Sequence, residues 1–225
     1  MKVFLSTTNQ LPSRNFKNDY MSKMAFGSQK ISFGDSFKKD IEKQSQIDFL
    51  TKKISNFRAT GNNNSYAGSL YYAINYFNEL KKMKVKTIIS LSYDCQSECK
   101  RAGLKYFGFA IPDSSNYDYD DKADKKEIAK NVCKFFEVVN EGNFFIGCNS
   151  GEGKVNKALY LNALLNPKFN DKNINIYNID QRIAWEFMKI YQCFSEEDKK
   201  HLGYTEEFEK RIKDFSDEKG ITSYL

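Results

Sequence analysis

The stretch that decides the fold reads Phe144-Phe145-Ile146-Gly147-Cys148-Asn149-Ser150-Gly151-Glu152-Gly153-Lys154. Its first half is short and apolar, as in a buried strand, and it ends on a cysteine. Two glycines then permit a tight turn, after which a helix is predicted to begin. Successive N–H groups in such a turn point at one spot, and the helix dipole adds positive potential. Cys148 is therefore a candidate nucleophile with a stabilised thiolate.

Strands and helices alternate along the centre of the chain. Short apolar runs rich in β-branched or aromatic residues predict three strands, at Val85–Leu91, Leu104–Ile111 and Asn143–Cys148. Helices are predicted at Tyr66–Met83, Cys95–Ala102, Lys122–Glu141 and Lys154–Leu165. This alternation predicts an α/β fold with a parallel-core sheet flanked by helices, and ligands bind such sheets at the carboxyl ends of the strands.

The two ends of the chain differ from its centre. Residues 1–50 are rich in Ser, Asn, Lys and Gln, and we expect them to form a polar, loosely structured N-terminal extension. Residues 51–225 are expected to form the main domain. Its last part, residues 177–225, is predicted to be a helical tail because Ile183, Phe187 and Ile190 recur at helical spacing.

Composition excludes several classes of function. The 225-residue chain has 35 basic and 29 acidic side chains, a net charge of +6, but only five arginines and one histidine, His201. Zinc sites rich in histidine are excluded, as is a Ser-His-Asp triad that does not use His201. Lysines interleaved with acids do not form the block that nucleic-acid binding favours, so we expect no nucleic-acid partner.

Cysteine usage and the N-terminus bear on the compartment. Five cysteines at irregular spacing argue against a disulfide scaffold and indicate a reducing compartment. The start of the chain has a three-residue apolar run, Val3-Phe4-Leu5, too short for a cleavable signal peptide. No segment reaches the roughly 18 apolar residues of a membrane span. We expect a cytoplasmic protein, or a secreted effector acting in a host cytoplasm.

The stretch around Cys148 resembles the signature loop of cysteine-dependent protein phosphatases, in the dual-specificity and tyrosine-phosphatase group. Their pattern is His-Cys, five residues, then Arg and Ser or Thr. Cys148, Gly151 and the spacing to Lys154 match it. Three other segments resemble family elements in the same order, namely Val85–Leu91, Ala102-Gly103-Leu104-Lys105-Tyr106 and Ile111-Pro112-Asp113. The resemblance covers about residues 54–166.

The resemblance implies a protein-tyrosine-phosphatase-like fold and a set of site residues. Cys148 would be the nucleophile and Asp113 the general acid, with Asp118, Asp120 and Asp121 as alternatives in the same acidic loop. Lys154 would clamp the phosphate. The phosphate cradle would be formed by the backbone of Asn149, Ser150, Gly151, Glu152, Gly153 and Lys154. The family chemistry needs no metal and no cofactor.

Three positions depart from the family pattern. Gly147 stands for its histidine, Lys154 for its arginine and Val155 for its serine or threonine. An ammonium supplies charge without the planar fork of a guanidinium, so hydrolysis is expected to be weak or absent while anion binding remains. The predicted partner is a phosphorylated protein or a small phosphoester. The alternative function is a non-catalytic interaction protein, a pseudophosphatase scaffold.

Rival motifs fit less well. A nucleotide-binding P-loop needs a glycine where Cys148 stands and a serine or threonine where Val155 stands. The acidic run Asn116–Asp121 imitates a calcium loop but has Asp121 where glycine is required. Cys95 and Cys99 have the spacing of a zinc ligand pair without a second pair.

Overall fold

The structure of the protein is a computed structural model that describes residues 33–61, 64–112, 119–169, 171 and 174–221. Two units are distinguished by their internal contacts, residues 1–39 and residues 40–225. The described part of the first unit is the beginning of a helix, α1 (Phe33–Lys53), whose remainder belongs to the second unit. The second unit contains the sheet and the remaining helices.

A five-stranded sheet forms the centre of the second unit. Its strands are β1 (Arg58–Ala59), β2 (Tyr66–Ser69), β3 (Thr87–Ser90), β4 (Lys105–Gly108) and β5 (Phe144–Cys148). The spatial order is β1-β2-β5-β3-β4; β1 pairs antiparallel with β2, and all other pairings are parallel. Strand β5 therefore lies in the middle, hydrogen-bonded to β2 on one side and to β3 on the other. The predicted α/β class with a parallel core is confirmed.

Helices connect the strands and cover both faces of the sheet. The described helices that follow β2 are α2 (Leu70–Ala73), α3 (Phe77–Lys82), α4 (Gln96–Ala102), α5 (Lys122–Asn140), α6 (Gly153–Leu165), α7 (Gln181–Tyr191), α8 (Glu196–Leu202) and α9 (Glu206–Glu218). One apolar core contains residues of α2, α3 and α4, and the larger one contains residues of α5 to α9. The predicted helical C-terminal region is present. Among the described residues, no helix combines the length and apolar character needed to span a membrane.

Alternation along the strands explains the two cores. In β5, Phe145 packs into the first core, while Phe144 and Ile146 pack into the second. In β3 the same division separates Ile88 from Ile89. Successive side chains of a strand point to opposite faces, so a strand that is apolar throughout needs cover on both faces. Burial on both faces fixes the position of the central strand β5, which ends at Cys148.

Two predictions about secondary structure were wrong. The helix predicted at Tyr66–Met83 begins only at Leu70, because Tyr66–Ser69 pairs with β5 as a strand. It is also interrupted by a 3-10 turn at Ile74–Tyr76. Residues 33–50, predicted to be loosely structured, lie in α1. The other strands and helices predicted between residues 85 and 165 are present, with ends displaced by at most three residues.

Candidate functional site

Strand β5 places Cys148 at the carboxyl edge of the sheet. The residue is 4% exposed, and its side chain belongs to the larger apolar core. Its sulfur lies 3.9 Å from the hydroxyl of Ser150, two residues further along the loop. Because β5 is central, the loop that follows Cys148 lies beside the ends of both neighbouring strands. This edge is where parallel sheets bind ligands.

Three consecutive loop carbonyls are held from the β1–β2 side of the sheet. The Ser69 hydroxyl donates to the carbonyl of Asn149. The Asn56 side-chain amide donates to the carbonyl of Ser150 at 2.9 Å. Each of these donors lies at least 80 residues away in sequence from its acceptor. The third carbonyl, that of Gly151, accepts from the guanidinium of Arg58 at 3.1 Å.

The bonded carbonyls determine where the loop N–H groups point. In a trans peptide the C=O of one residue and the N–H of the next point in opposite directions. Holding the carbonyls of Asn149, Ser150 and Gly151 therefore turns the N–H groups of the three following residues away from β1 and β2. Within the described residues, the N–H groups of Ser150 and Gly151 have no hydrogen-bond partner. The Glu152 N–H lies 3.4 Å from the Ser150 hydroxyl.

Gly151 is required by the way in which the loop contacts β2. Its φ is +79°, a region that side chains other than glycine adopt at a cost. A Cβ atom there would lie 2.3 Å from the carbonyl carbon of Gly68 and 2.3 Å from the nitrogen of Ser69. Both neighbours are backbone atoms that cannot move aside. The loop can therefore close against β2 only with glycine at this position.

The first turn of α6 follows the loop directly. Glu152 occupies the N-cap position, and its side chain makes no capping hydrogen bond. The first four N–H groups of an α-helix have no partner within the helix, and the macrodipole makes this end positive. Lys154 is exposed in this turn and adds a positive charge. The arrangement therefore suits an anion.

A cavity of about 560 Å³ lies beside the loop, at the carboxyl ends of β3 and β4. The charged residues among its lining are Lys154 and Lys157. Lys157 forms an ion pair with Glu186 of α7, so α7 holds this wall of the cavity. Cys148 does not line the cavity, which adjoins the loop through Lys154. The remainder of a ligand whose anionic group is bound at the loop would enter this cavity.

The candidate acids fall partly outside the described residues. Asp113 and Asp118 lie outside them, as does the first half of the calcium-like run at 116–121. Asp121 is the N-cap of α5 and accepts from the N–H groups of Ala123 at 2.6 Å and Asp124 at 3.2 Å. That carboxylate is used to begin a helix. Asp120 is exposed, beside the end of the undescribed segment.

Two departures from the phosphatase pattern are part of the packing. A Cβ atom at Gly147 would lie 2.8 Å from the Cβ of Leu70 and 3.1 Å from the carbonyl oxygen of Gly68. A histidine in its place would therefore displace these neighbours. Val155 is fully buried in the larger core. The chain thus uses both positions for close packing.

The other cysteines are structural in character. All five cysteines are buried free thiols, and the sulfurs of Cys95 and Cys99 lie 3.8 Å apart. Burial raises the pKa of Cys133 to about 12 and that of Cys193 to about 11. In the described part of the chain, no three His, Cys, Asp or Glu side chains are grouped so that they could hold a metal ion.

Sequence reasoning missed the residues whose side chains donate hydrogen bonds to the loop carbonyls, namely Asn56, Arg58 and Ser69. Each lies far from the loop in sequence, so no local motif contains it together with Cys148. One signal was available, because Arg58 is one of five arginines in a chain with 35 basic residues. A retained guanidinium in so lysine-rich a chain indicates a position where a fork of donors is needed.

The chain is similar in structure to several solved phosphatases. One is the core catalytic domain of the PP-IP phosphatase SIW14 from S. cerevisiae, in complex with citrate, at 17% identity and a TM-score of 0.37; 73% of this chain and 94% of that chain are covered. Another is the Yvh1 phosphatase domain from Chaetomium thermophilum, at 14% identity and a TM-score of 0.35, covering 74% of this chain and 98% of that one. No protein-family model matches the chain, and no curated protein matches it.

Proposed function

We propose that the Cys148–Lys154 loop binds a phosphate group or a phosphorylated partner, and that the protein hydrolyses phosphomonoesters slowly if at all. The observation that supports this most directly is that the side chains of Ser69, Asn56 and Arg58 donate hydrogen bonds to three consecutive loop carbonyls. With their carbonyls bonded in this way, the loop peptides point their N–H groups away from the side chains that donate these bonds. Backbone N–H groups at a helix N-terminus are a common phosphate site.

Hydrolysis would proceed through a phosphocysteine. The Cys148 thiolate attacks phosphorus, an S–P bond forms, and the P–O bond to the leaving group breaks. The leaving oxygen takes a proton from a general acid, for which Asp113 is our candidate. A water molecule then attacks phosphorus and gives its proton to the carboxylate left on the general acid, while the S–P bond breaks, so that inorganic phosphate is released and the thiolate is restored. Loop N–H groups stabilise the equatorial oxygens in both steps.

The side chain at position 154 limits the rate in this scheme. Lys154 supplies a point charge, whereas a guanidinium would bind two equatorial oxygens at once. Val155 offers no hydroxyl to assist departure of the cysteine in the second step. Binding depends on the backbone, so we expect oxyanion affinity to survive where turnover does not.

The test combines turnover and binding in one set of variants. We expect the wild-type protein to be protected by tungstate against alkylation of Cys148 by iodoacetamide, read by mass spectrometry of the Cys148 peptide. The Lys154→Arg variant should hydrolyse an aryl phosphate about tenfold faster than wild type, equivalent to about 1.4 kcal/mol of barrier. The Cys148→Ser variant should show no hydrolysis but should still bind tungstate in a calorimetric titration.

Three outcomes separate the functions. Turnover that disappears in Cys148→Ser supports a cysteine phosphatase. Tungstate binding without turnover supports a phosphate reader. If wild type and Lys154→Arg neither bind tungstate nor turn over substrate, the proposal fails and the interaction scaffold is the better description.

A further inference from the structure

Arg58 connects three parts of the chain behind the candidate loop. Its Nη1 donates to the Gly151 carbonyl at 3.1 Å and to the Asn56 carbonyl at 3.0 Å. Its Nη2 donates to the side-chain oxygen of Asn156 at 2.6 Å. Gly151 is in the loop, Asn156 is in the first turns of α6, and Asn56 precedes β1. One guanidinium therefore ties the loop, the helix and the edge of the sheet together.

The environment of Arg58 makes this attachment electrostatic as well. Burial lowers the pKa of Arg58 below its ordinary value, and the negative charges of Glu152, Cys148 and Asp171 oppose that effect. A guanidinium stays charged at any pH at which proteins are folded. Arg58 therefore places a permanent positive charge next to the loop that follows Cys148. This charge comes from the β1 side of the sheet.

We propose that Arg58 is the positioning residue of the candidate site, holding the Gly151 carbonyl and α6 from behind so that the loop N–H groups stay turned toward the ligand. The peptide that joins Gly151 to Glu152 decides the direction of the Glu152 N–H. With its carbonyl bonded to Arg58, that peptide cannot flip without breaking a charge-assisted hydrogen bond. The same bond fixes the loop relative to the beginning of α6, because Asn156 shares the guanidinium.

The role needs an arginine. Two separate nitrogens of the guanidinium reach acceptors in the loop and in α6. A lysine ammonium could keep the charge, but it lacks the planar fork that spans both acceptors. This role also differs from that of the signature arginine of the phosphatases that the sequence resembles, which would contact the phosphate itself. Arg58 contacts a loop carbonyl, and the anion would be bound by the loop N–H groups and Lys154.

The inference rests on the proposed function, and a matched variant tests it. We compare Arg58→Gln and Arg58→Lys with Arg211→Gln. Arg211 is also half-buried and donates to two carbonyls of α6, those of Ala163 at 2.9 Å and Leu164 at 3.1 Å, but at the far end of the helix. Burial lowers the pKa of Arg211 as it does that of Arg58. The control therefore removes a similar side chain that contacts the same helix, away from the loop.

The readouts are the rate of Cys148 alkylation by iodoacetamide at pH 7 and the affinity for tungstate, each measured on protein shown to be folded by circular dichroism. In Arg58→Gln we expect alkylation and affinity each to fall about tenfold, because the loop N–H groups lose their orientation and the positive charge next to the loop is removed. Arg58→Lys should retain a larger fraction of the wild-type alkylation rate than of the wild-type affinity for tungstate. Arg211→Gln should retain both within about twofold, even if it unfolds at a lower temperature.

Two results would overturn the proposal. One is folded Arg58→Gln protein that alkylates and binds tungstate as wild type does. The other is an equal loss in Arg211→Gln, since that would reflect general loosening of the fold. If Arg58→Gln does not fold, Asn156→Ala, which removes one acceptor of the fork, replaces it and should lower tungstate affinity. Alkylation without tungstate reports on Arg58 even if wild type binds no oxyanion, so failure of the proposed function is recognised separately.

Discussion

At the scale of single residues, the loop contains two glycines that lie two positions apart and have different roles. Gly151 has a φ of +79° and no space for a Cβ atom, whereas a Cβ atom at Gly153 would meet nothing within 4 Å. The first glycine is therefore required by geometry. The second is an exposed residue in the first turn of α6, where alanine fits.

This contrast predicts opposite effects of the same substitution. Gly151→Ala should destabilise the protein by about 3 kcal/mol, through left-handed strain and a backbone clash, and should abolish tungstate binding. Gly153→Ala should stabilise it by about 0.5–1 kcal/mol, because alanine has the better helix propensity. Urea unfolding and calorimetric titration measure both. Equal stabilities for the two variants would contradict the described closure of the loop on β2.

Residue-scale prediction from sequence succeeded where the signal was local and failed where it was not. The apolar strand, the glycines and the start of the following helix lie within eleven consecutive residues, and their order was enough to predict this succession of strand, turn and helix. Asn56, Arg58 and Ser69 act on the same loop from 80 or more residues away. Nothing in a single sequence pairs them with their carbonyls, since those pairings depend on the register between β2 and β5.

At the scale of elements, periodicity predicted the helices better than the strands. In Tyr66–Met83 the apolar positions Leu70, Ile74, Phe77 and Leu80 have helical spacing, and the segment is indeed helical from Leu70. The preceding Tyr-Ala-Gly-Ser has no β-branched residue and becomes a strand because it pairs with Phe145–Cys148. Pairing of this kind overrides local propensity. Helix α1 was missed because its exposed residues leave only a weak apolar face.

Helices α6 and α7 are joined by the ion pair between Lys157 and Glu186. The side chains are 21% and 10% exposed, so removing one partner leaves a largely buried charge. Glu186→Gln should cost about 2 kcal/mol, less than the loss for a fully buried pair because Lys157 keeps some solvent contact. The double variant Lys157→Met with Glu186→Leu should recover most of this loss.

Urea unfolding of the single and double variants measures the effect of that pair. Tungstate affinity, measured on the folded single variant, should stay near the wild-type value, because the loop N–H groups and Lys154 are untouched. A double variant as unstable as the single one would show that lost packing, and not an unpaired charge, accounts for the result.

At the scale of the whole molecule, two apolar cores on opposite faces of one sheet bury thiols as if they were small aliphatic groups. Cys133 of α5 and Cys193, just after α7, both belong to the larger core. Burial disfavours their thiolates and raises the pKa of Cys133 to about 12 and of Cys193 to about 11, from an ordinary value of 9.0. This links the stability of the whole domain to alkaline pH.

The sign of that linkage follows from the raised values. Below pH 9 both thiols are protonated in the folded and unfolded states, so their contribution is fully present. Between pH 9 and about 11 the unfolded chain loses these protons while the folded chain keeps them, so the free energy of unfolding falls, by up to about 1.4 kcal/mol per pH unit for each thiol. Urea unfolding under reducing conditions at pH 8, 9, 9.5 and 10 should show this decline. A Cys133→Ala, Cys193→Ala variant should start lower at pH 8, because it leaves cavities, but decline less steeply above pH 9. Parallel declines in the two proteins would mean that other groups, such as the buried tyrosines, cause the alkaline loss.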